Sequence, residues 1–92
     1  MTQSILFVDD EEHILKSLRR LFIHTEYETF YAIGGKEALD ILEREKIDLI
    51  ISDMRMPEIN GYQLLKEVRQ KYPATMRVIL SGYAEEKEII KA

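Results

Sequence analysis

Three aspartates in this 92-residue chain stand where carboxylates are costly unless they do chemistry. Asp9 and Asp10 follow the apolar run "SILFV", Ser4–Val8, and Asp53 follows "IDLIIS", residues 47–52. If the two runs are neighbouring strands, three carboxylates converge on one small, partly desolvated pocket, and their repulsion drives at least one pKa upward. A hard divalent cation removes that cost. Mg²⁺, which takes oxygen ligands and keeps several waters, is the natural candidate. Each acid also has a plain reading: Asp10 alone is a helix cap, and Asp9 alone is an ordinary polar strand end. Asp53 resists one, because the loop "MRMPEING" leaves it no adjacent helix to cap. Taken together at the mouths of two otherwise apolar strands, the three read as one site.

The elements that must position these acids alternate along the chain. Ser4–Val8 is continuous enough in apolar residues to be a strand buried on both faces. Residues 11–25 carry Ile14, Leu15, Leu18, Leu21 and Phe22 at helical spacing, which predicts a helix with one core-facing stripe, capped by Asp10. Glu28–Ala32, "ETFYA", is a second strand, and Gly34 and Gly35 separate it from a helix over residues 36–45 with Ala38, Leu39, Ile41 and Leu42 inward. Residues 47–52 form the third strand. A helix over residues 62–72 carries Leu64, Leu65 and Val68, and Pro73 stops it. "RVIL", residues 77–80, is a fourth strand, and "AEEKEIIKA", residues 84–92, begins a fourth helix with Ile89 and Ile90 facing inward. Strands alternating with helices in this way predict βαβ units, hence an α/β fold with a parallel sheet and helices on both faces. In such sheets the ligand crevice lies beyond the carboxyl ends of the strands, where the three acids are.

Composition narrows the function classes. The length allows one domain, residues 1–92, and no second folded unit. A net charge of -4, with Lys and Arg scattered among acids, leaves no footprint for nucleic-acid phosphates. There is no cysteine for disulfides or thiolate metal sites, which suits a reducing cytoplasm. No apolar run approaches the ~20 residues of a membrane span, and the first residues lack the pattern of a secretory signal.

The segments "ILFVDDEE", "LIISDMRMPEINGYQLL" and "VILSGYAEE" resemble, in order, the first, third and fourth strand-loop motifs of response-regulator receiver domains, whose CheY-like fold is flavodoxin-like. The resemblance runs from the first strand to the last residue. It implies that Asp53 is the phospho-acceptor, Asp10 a direct Mg²⁺ ligand and Asp9 the partner acid that helps hold the ion, with the backbone carbonyl of Arg55 as the remaining protein ligand. It further implies that Ser81 is the switch hydroxyl, that Gly82 leaves room for the phosphoryl group, and that Pro57 and Gly61 shape the loop after the acceptor. The implied chemistry is attack by Asp53 on the phosphorus of a phosphohistidine carried by a sensor histidine kinase or phosphotransfer protein, followed by slow hydrolysis of the acyl phosphate. Arg55 and Tyr83, flanking the site, are expected to tune its lifetime.

Receivers of this kind have five strands and five helices in strand order 2-1-3-4-5, and the resemblance implies order 2-1-3-4 here, with the fifth βα unit missing. The lysine and the aromatic residue that the fifth strand brings are then absent too; Lys87 and Lys91 fall on the expected last helix and are not assigned that role. An uncovered fourth strand would template pairing, so a homodimer through that edge, with strand or helix exchange, is expected. A receiver-like docking module with impaired phosphorylation is the alternative. An aspartate-nucleophile phosphatase needs a second Asp two residues after the first-strand acid, where Glu11 stands, and a flavin-binding protein needs a phosphate loop after the first strand. His13 and His24 lack a ligand pattern, Met54 and Met56 read as loop packing, and Gly34-Gly35 lacks the spacing of a phosphate-cradling loop.

Overall fold

The computed structural model describes residues 2–80 and the backbone of residues 89–91. The first strand, β1 (Ser4–Val8), leads through α1 (Glu12–Phe22) to β2 (Glu28–Ala32), and α2 (Gly35–Arg44) connects to β3 (Leu49–Asp53). Helix α3 (Gly61–Lys71) returns the chain to β4 (Met76–Leu80), and a short β5 (Ile89–Lys91) follows. Strands β1 to β4 pair in parallel in the order β2-β1-β3-β4, the expected flavodoxin-like arrangement.

The sheet divides two apolar clusters. On one face Leu6, Val8, Ala32, Ile50 and Ile79 meet Ala38, Ile41 and Leu42 of α2 and Leu64, Leu65 and Val68 of α3. Leu6, Ile50 and Leu64 are wholly buried there, each contributing about 1.5–3 kcal/mol through its removal from water. On the other face Ile5 and Phe7 pack under Leu15, Leu18 and Phe22 of α1, with Tyr31, Leu49 and Ile51 at the margin. This side is thinly covered. Strand β1 is buried along its whole length, whereas β3 and β4 are fully buried only at the residues facing α2 and α3.

The same asymmetry corrects the expected stripe of α1. Leu15 is buried, and Leu18 and Phe22 pack beside it, but Leu21 is 72% exposed and Ile14 also faces solvent. The stripe is wider than the contact the sheet offers, since among the described residues α1 has no companion helix on its face. Helix α1 also ends earlier than expected, at Phe22, whose carbonyl takes both the backbone N–H and the hydroxyl of Thr25.

The terminal segment differs more. Residues 89–91, expected on a helix, pair antiparallel with β4 in the register Val78↔Lys91, Ile79↔Ile90 and Leu80↔Ile89. Unpaired donors and acceptors on β4 are satisfied this way, which a helix could not do. Residues 81–88, with the rest of the expected helix, lie outside the described residues.

At the opposite end from the acids, β1, β3 and β4 are tied together by side chains. The buried Ser4 donates its N–H to Asp48 Oδ2 at 2.8 Å and its hydroxyl to the Lys46 carbonyl at 2.7 Å. The N–H of Asp48 in turn donates to Ser4 Oγ at 3.0 Å. The Ser4 N–H, joined by the Ser4 hydroxyl 3.1 Å from Asp48 Oδ2, holds the Asp48 carboxyl below the usual range. Thr75, also buried, donates its hydroxyl to the Ile47 carbonyl at 2.7 Å, and Met76 N–H reaches the Asp48 carbonyl at 2.9 Å.

Candidate functional site

Register decides whether the acids meet. Pairing of β1 with β3 runs Ile5↔Leu49 through Val8↔Ser52. Continued by one residue, it sets Asp9, just past the end of β1, opposite Asp53, the last residue of β3. Side chains of Asp9, Asp10 and Asp53 accordingly offer oxygens that all lie within 4.8 Å of one another, with Asp9 and Asp53 half-buried and Asp10 exposed. The three acids predicted from sequence are brought together.

One detail of the expected arrangement is corrected. Asp10 does not cap α1: Glu11 occupies the N-cap position without a side-chain bond. Asp9 Oδ1 instead accepts the Glu11 N–H at 2.9 Å. The carboxylate of Asp10 is left to the site.

Burial pushes the Asp9 carboxyl up, the Glu11 N–H offsets part of this, and the charges of Asp53, Asp10 and Glu11 push it further. Asp53 is raised by burial too, restrained by hydrogen bonds from the N–H groups of Met54 and Arg55, and raised again by Asp10 and Glu11. Like charges held in partly desolvated positions are what a bound cation relieves. A donor set made wholly of carboxylate oxygens, with the exposed Asp10 left for a hydrated ion to approach, fits Mg²⁺ and offers nothing to a thiophilic metal. Glu11, missed as part of the site, adds a fourth charge; its place next to the acidic pair was the available signal.

The loop after Asp53 is tightly shaped. Ile59 N–H donates to the Pro57 carbonyl at 2.8 Å across Glu58, whose φ of 67° is positive; this is a γ-turn in its strained form. The loop closes where Gly61 N–H donates to the Met54 carbonyl at 2.9 Å. A Cβ on Gly61 would overlap the Asp53 carbonyl oxygen and lie 3.0 Å from the Asp53 carbonyl carbon, so only glycine lets α3 start this close to the acceptor. Asn60 then caps α3, accepting Gln63 N–H while Gln63 accepts Asn60 N–H. This capping box, Asn60 to Gln63, was readable in sequence but not anticipated.

Met56 is buried and Met54 packs on the main cluster, so both methionines serve the loop's packing as expected. An open cleft of about 460 Å³ lies beside Asp10, lined by Met54, Arg55, Met56, Pro57 and Asn60. Ser81, Gly82 and Tyr83 lie outside the described residues, as does Lys87.

The sequence profile of the response regulator receiver domain matches residues 5–92. The chain belongs to the response regulator receiver domain family. Among its relatives, sporulation initiation phosphotransferase F of Bacillus subtilis is 35% identical over 85 residues, 92% of this chain and 68% of the relative. The hydrogenase transcriptional regulatory protein HoxA of Cupriavidus necator is 36% identical over 87 residues, covering 95% of this chain and 18% of HoxA. The receiver domain thus spans under a fifth of that regulator's length. Among solved structures, the signal receiver domain of an HD domain-containing protein from Pseudomonas fluorescens superposes with a TM-score of 0.88 at 34% identity, covering 95% of this chain and 70% of that one. The response regulator TrrA of Thermotoga maritima, solved in complex with Mg²⁺-BeF, gives a TM-score of 0.82 at 33% identity over 91% of this chain and 73% of its own. As a receiver domain, the chain is a signalling module of two-component systems, and the readings as an aspartate-nucleophile phosphatase or a flavin-binding protein fall away.

Proposed function

We propose that Asp53 accepts the phosphoryl group and that Asp9, Asp10, Asp53 and the backbone carbonyl of Arg55 hold the Mg²⁺ that assists. What carries the reading is the convergence of three carboxylates, oxygens within 4.8 Å of one another, at the carboxyl ends of two neighbouring strands. It also weighs against a docking module that has dispensed with phosphorylation.

The donor is a phosphohistidine on a sensor histidine kinase or a phosphotransfer protein. An Asp53 carboxylate oxygen attacks phosphorus, the phosphorus–nitrogen bond breaks, and the imidazole leaves and takes a proton from solvent. Bound Mg²⁺ supplies charge neutralisation to the phosphoryl oxygens. The Met54 and Arg55 N–H groups keep the Asp53 carboxyl oriented and help hold it ionised, as a nucleophile must be. Hydrolysis of the acyl phosphate returns the carboxylate, so the module is a timed switch, with Ser81 as its hydroxyl and the exposed Arg55 side chain, which lines the cleft beside Asp10, as a tuning residue. We read residues 1–92 as one receiver unit working in the cytoplasm; no helix among the described residues is long and apolar enough to cross a membrane.

A homodimer through β4 requires β5 to leave its own sheet or to pair with β4 of a second copy. Light scattering on a size-exclusion column reads this, and a sharp monomer peak at high concentration counts against exchange. Intact mass after incubation with acetyl phosphate and Mg²⁺ tests the phospho-acceptor. One added phosphoryl group, absent in Asp53→Asn, is the expected result; equal labelling of the variant would sink the assignment.

A further inference from the structure

Gly35, the first residue of α2, has no part in the chemistry described so far, yet it touches the loop that does. A Cβ placed on it would lie 3.0 Å from Ile59 Cβ and 3.1 Å from Ile59 Cγ2. Ile59 belongs to the loop after the acceptor and is packed against the main apolar cluster. The N-terminus of α2 therefore forms a wall against which that loop rests.

This loop has little slack with which to absorb a push. On one side of Ile59 the γ-turn locks it to Pro57, with Glu58 already at a φ of 67°. On the other side Asn60 is fixed by its reciprocal bonds with Gln63, and Gly61 is bonded to the Met54 carbonyl and abuts the Asp53 backbone. A displacement of Ile59 by a few tenths of an ångström must then be taken up toward Arg55 or toward Asp53. Both lie at the site. Packed interiors transmit such shifts rather than dissipating them.

We propose that Gly35 is a positioning residue for the phosphoryl site: by carrying no side chain it sets where Ile59, and through it the Arg55 carbonyl and the Asp53 carboxylate, stand relative to Asp9 and Asp10. The inference rests on the Mg²⁺-binding reading of those groups. It separates from a merely structural role because replacing a helical glycine by alanine normally favours the helix. A structural role predicts an unchanged or more stable protein with unchanged metal affinity.

The test is a double-mutant cycle on the full chain, with Mg²⁺ affinity measured by titration calorimetry and folding checked by circular dichroism. Gly35→Ala is expected to weaken Mg²⁺ binding about tenfold, as changes in the groups that orient metal ligands commonly do. In the Ile59→Gly background, where both crowding atoms, Cβ and Cγ2, are gone, the same substitution is expected to change affinity by less than about twofold, the limit of ordinary additivity. A wild type that binds Mg²⁺ while Gly35→Ala binds it equally well overturns this inference alone; a wild type that binds no Mg²⁺ overturns the parent reading with it. Should Gly35→Ala fail to fold, Ile59→Gly decides, since a loop without its contact must hold the ion more weakly and an undiminished affinity overturns the proposal.

Discussion

Replacing the acceptor should make the metal-free protein more stable, against the usual direction of mutations. Asp9, Asp10 and Asp53 place oxygens within 4.8 Å of one another. At that separation each pair of charges repels by about 0.9 kcal/mol in bulk water and about 3.5 kcal/mol at an effective dielectric of 20. Asp9 and Asp53 are only half-buried and Asp10 is exposed, so solvent screening pulls the value to the lower end, about 1 kcal/mol per pair. Asp53→Asn removes one charge from the cluster and lifts a burial penalty as well. Two of the three pairs include Asp53, so the gain is about 2 kcal/mol, and for a domain of this size, at roughly 4–8 °C per kcal/mol, the melting midpoint rises by roughly 8–16 °C. Mg²⁺ acts oppositely on the two proteins. At a hundred times its dissociation constant it stabilises the wild type by about 2.7 kcal/mol. In the variant, with affinity reduced about tenfold or more, the gain falls to about half or less.

The sign with pH follows from the raised pKa values of Asp9 and Asp53. A carboxyl raised on folding costs stability at neutral pH, and the cost disappears as pH falls through the raised folded value. The variant's advantage without Mg²⁺ is therefore largest at pH 7 and shrinks on acidification. Thermal melts of both proteins, with EDTA and with Mg²⁺, at several pH values, check all of this. An Asp53→Asn protein that melts lower than wild type in EDTA, with an undiminished Mg²⁺ increment, would refute the picture of repelling acids relieved by a cation.

Two further outcomes concern the parts that hold the site. Asp48→Asn should lower the melting midpoint at pH 7; because Asp48 is held below its ordinary pKa, its contribution is present above about pH 4 and fades as the folded value is passed, so the two melting curves should converge in acid, and a constant gap down to pH 2 would contradict the role of its charge. Gly61→Ala should cost several-fold more phosphorylation by acetyl phosphate than stability alone explains, since the new Cβ collides with Asp53 backbone rather than with a movable side chain; a folded variant labelled at the wild-type rate would show that the acceptor backbone can yield.

Much of this was legible in the chain itself. Strands β1 and β2 begin and end where their apolar runs do, and the acids announced themselves by ending such runs. What could not be read was set by neighbours. Ile89 and Ile90 suit a helix or a strand equally over so short a stretch, and the bare edge of β4 chose the strand. Leu21 looked like core because periodicity counts residues without knowing how wide a surface awaits them. That Asp9 rather than Asp10 takes the Glu11 N–H depends on the backbone path out of β1. The positive φ of Glu58 and the contact of Gly35 with Ile59 arise only once distant segments meet.

Ser4 and Asp48 sit five positions before Asp9 and Asp53 on their respective strands. The clasp at one end of β1 and β3 and the acid pair at the other are therefore two marks on the same pair of parallel rulers, about 17 Å apart at the usual rise of a strand. Lose or insert a single residue between the marks on either strand, and one end can be in register only if the other is not, with the side chains on the displaced side of the change turned to the opposite face. The tolerances of a charge cluster at the surface are thus kept by a serine and an aspartate that never approach it.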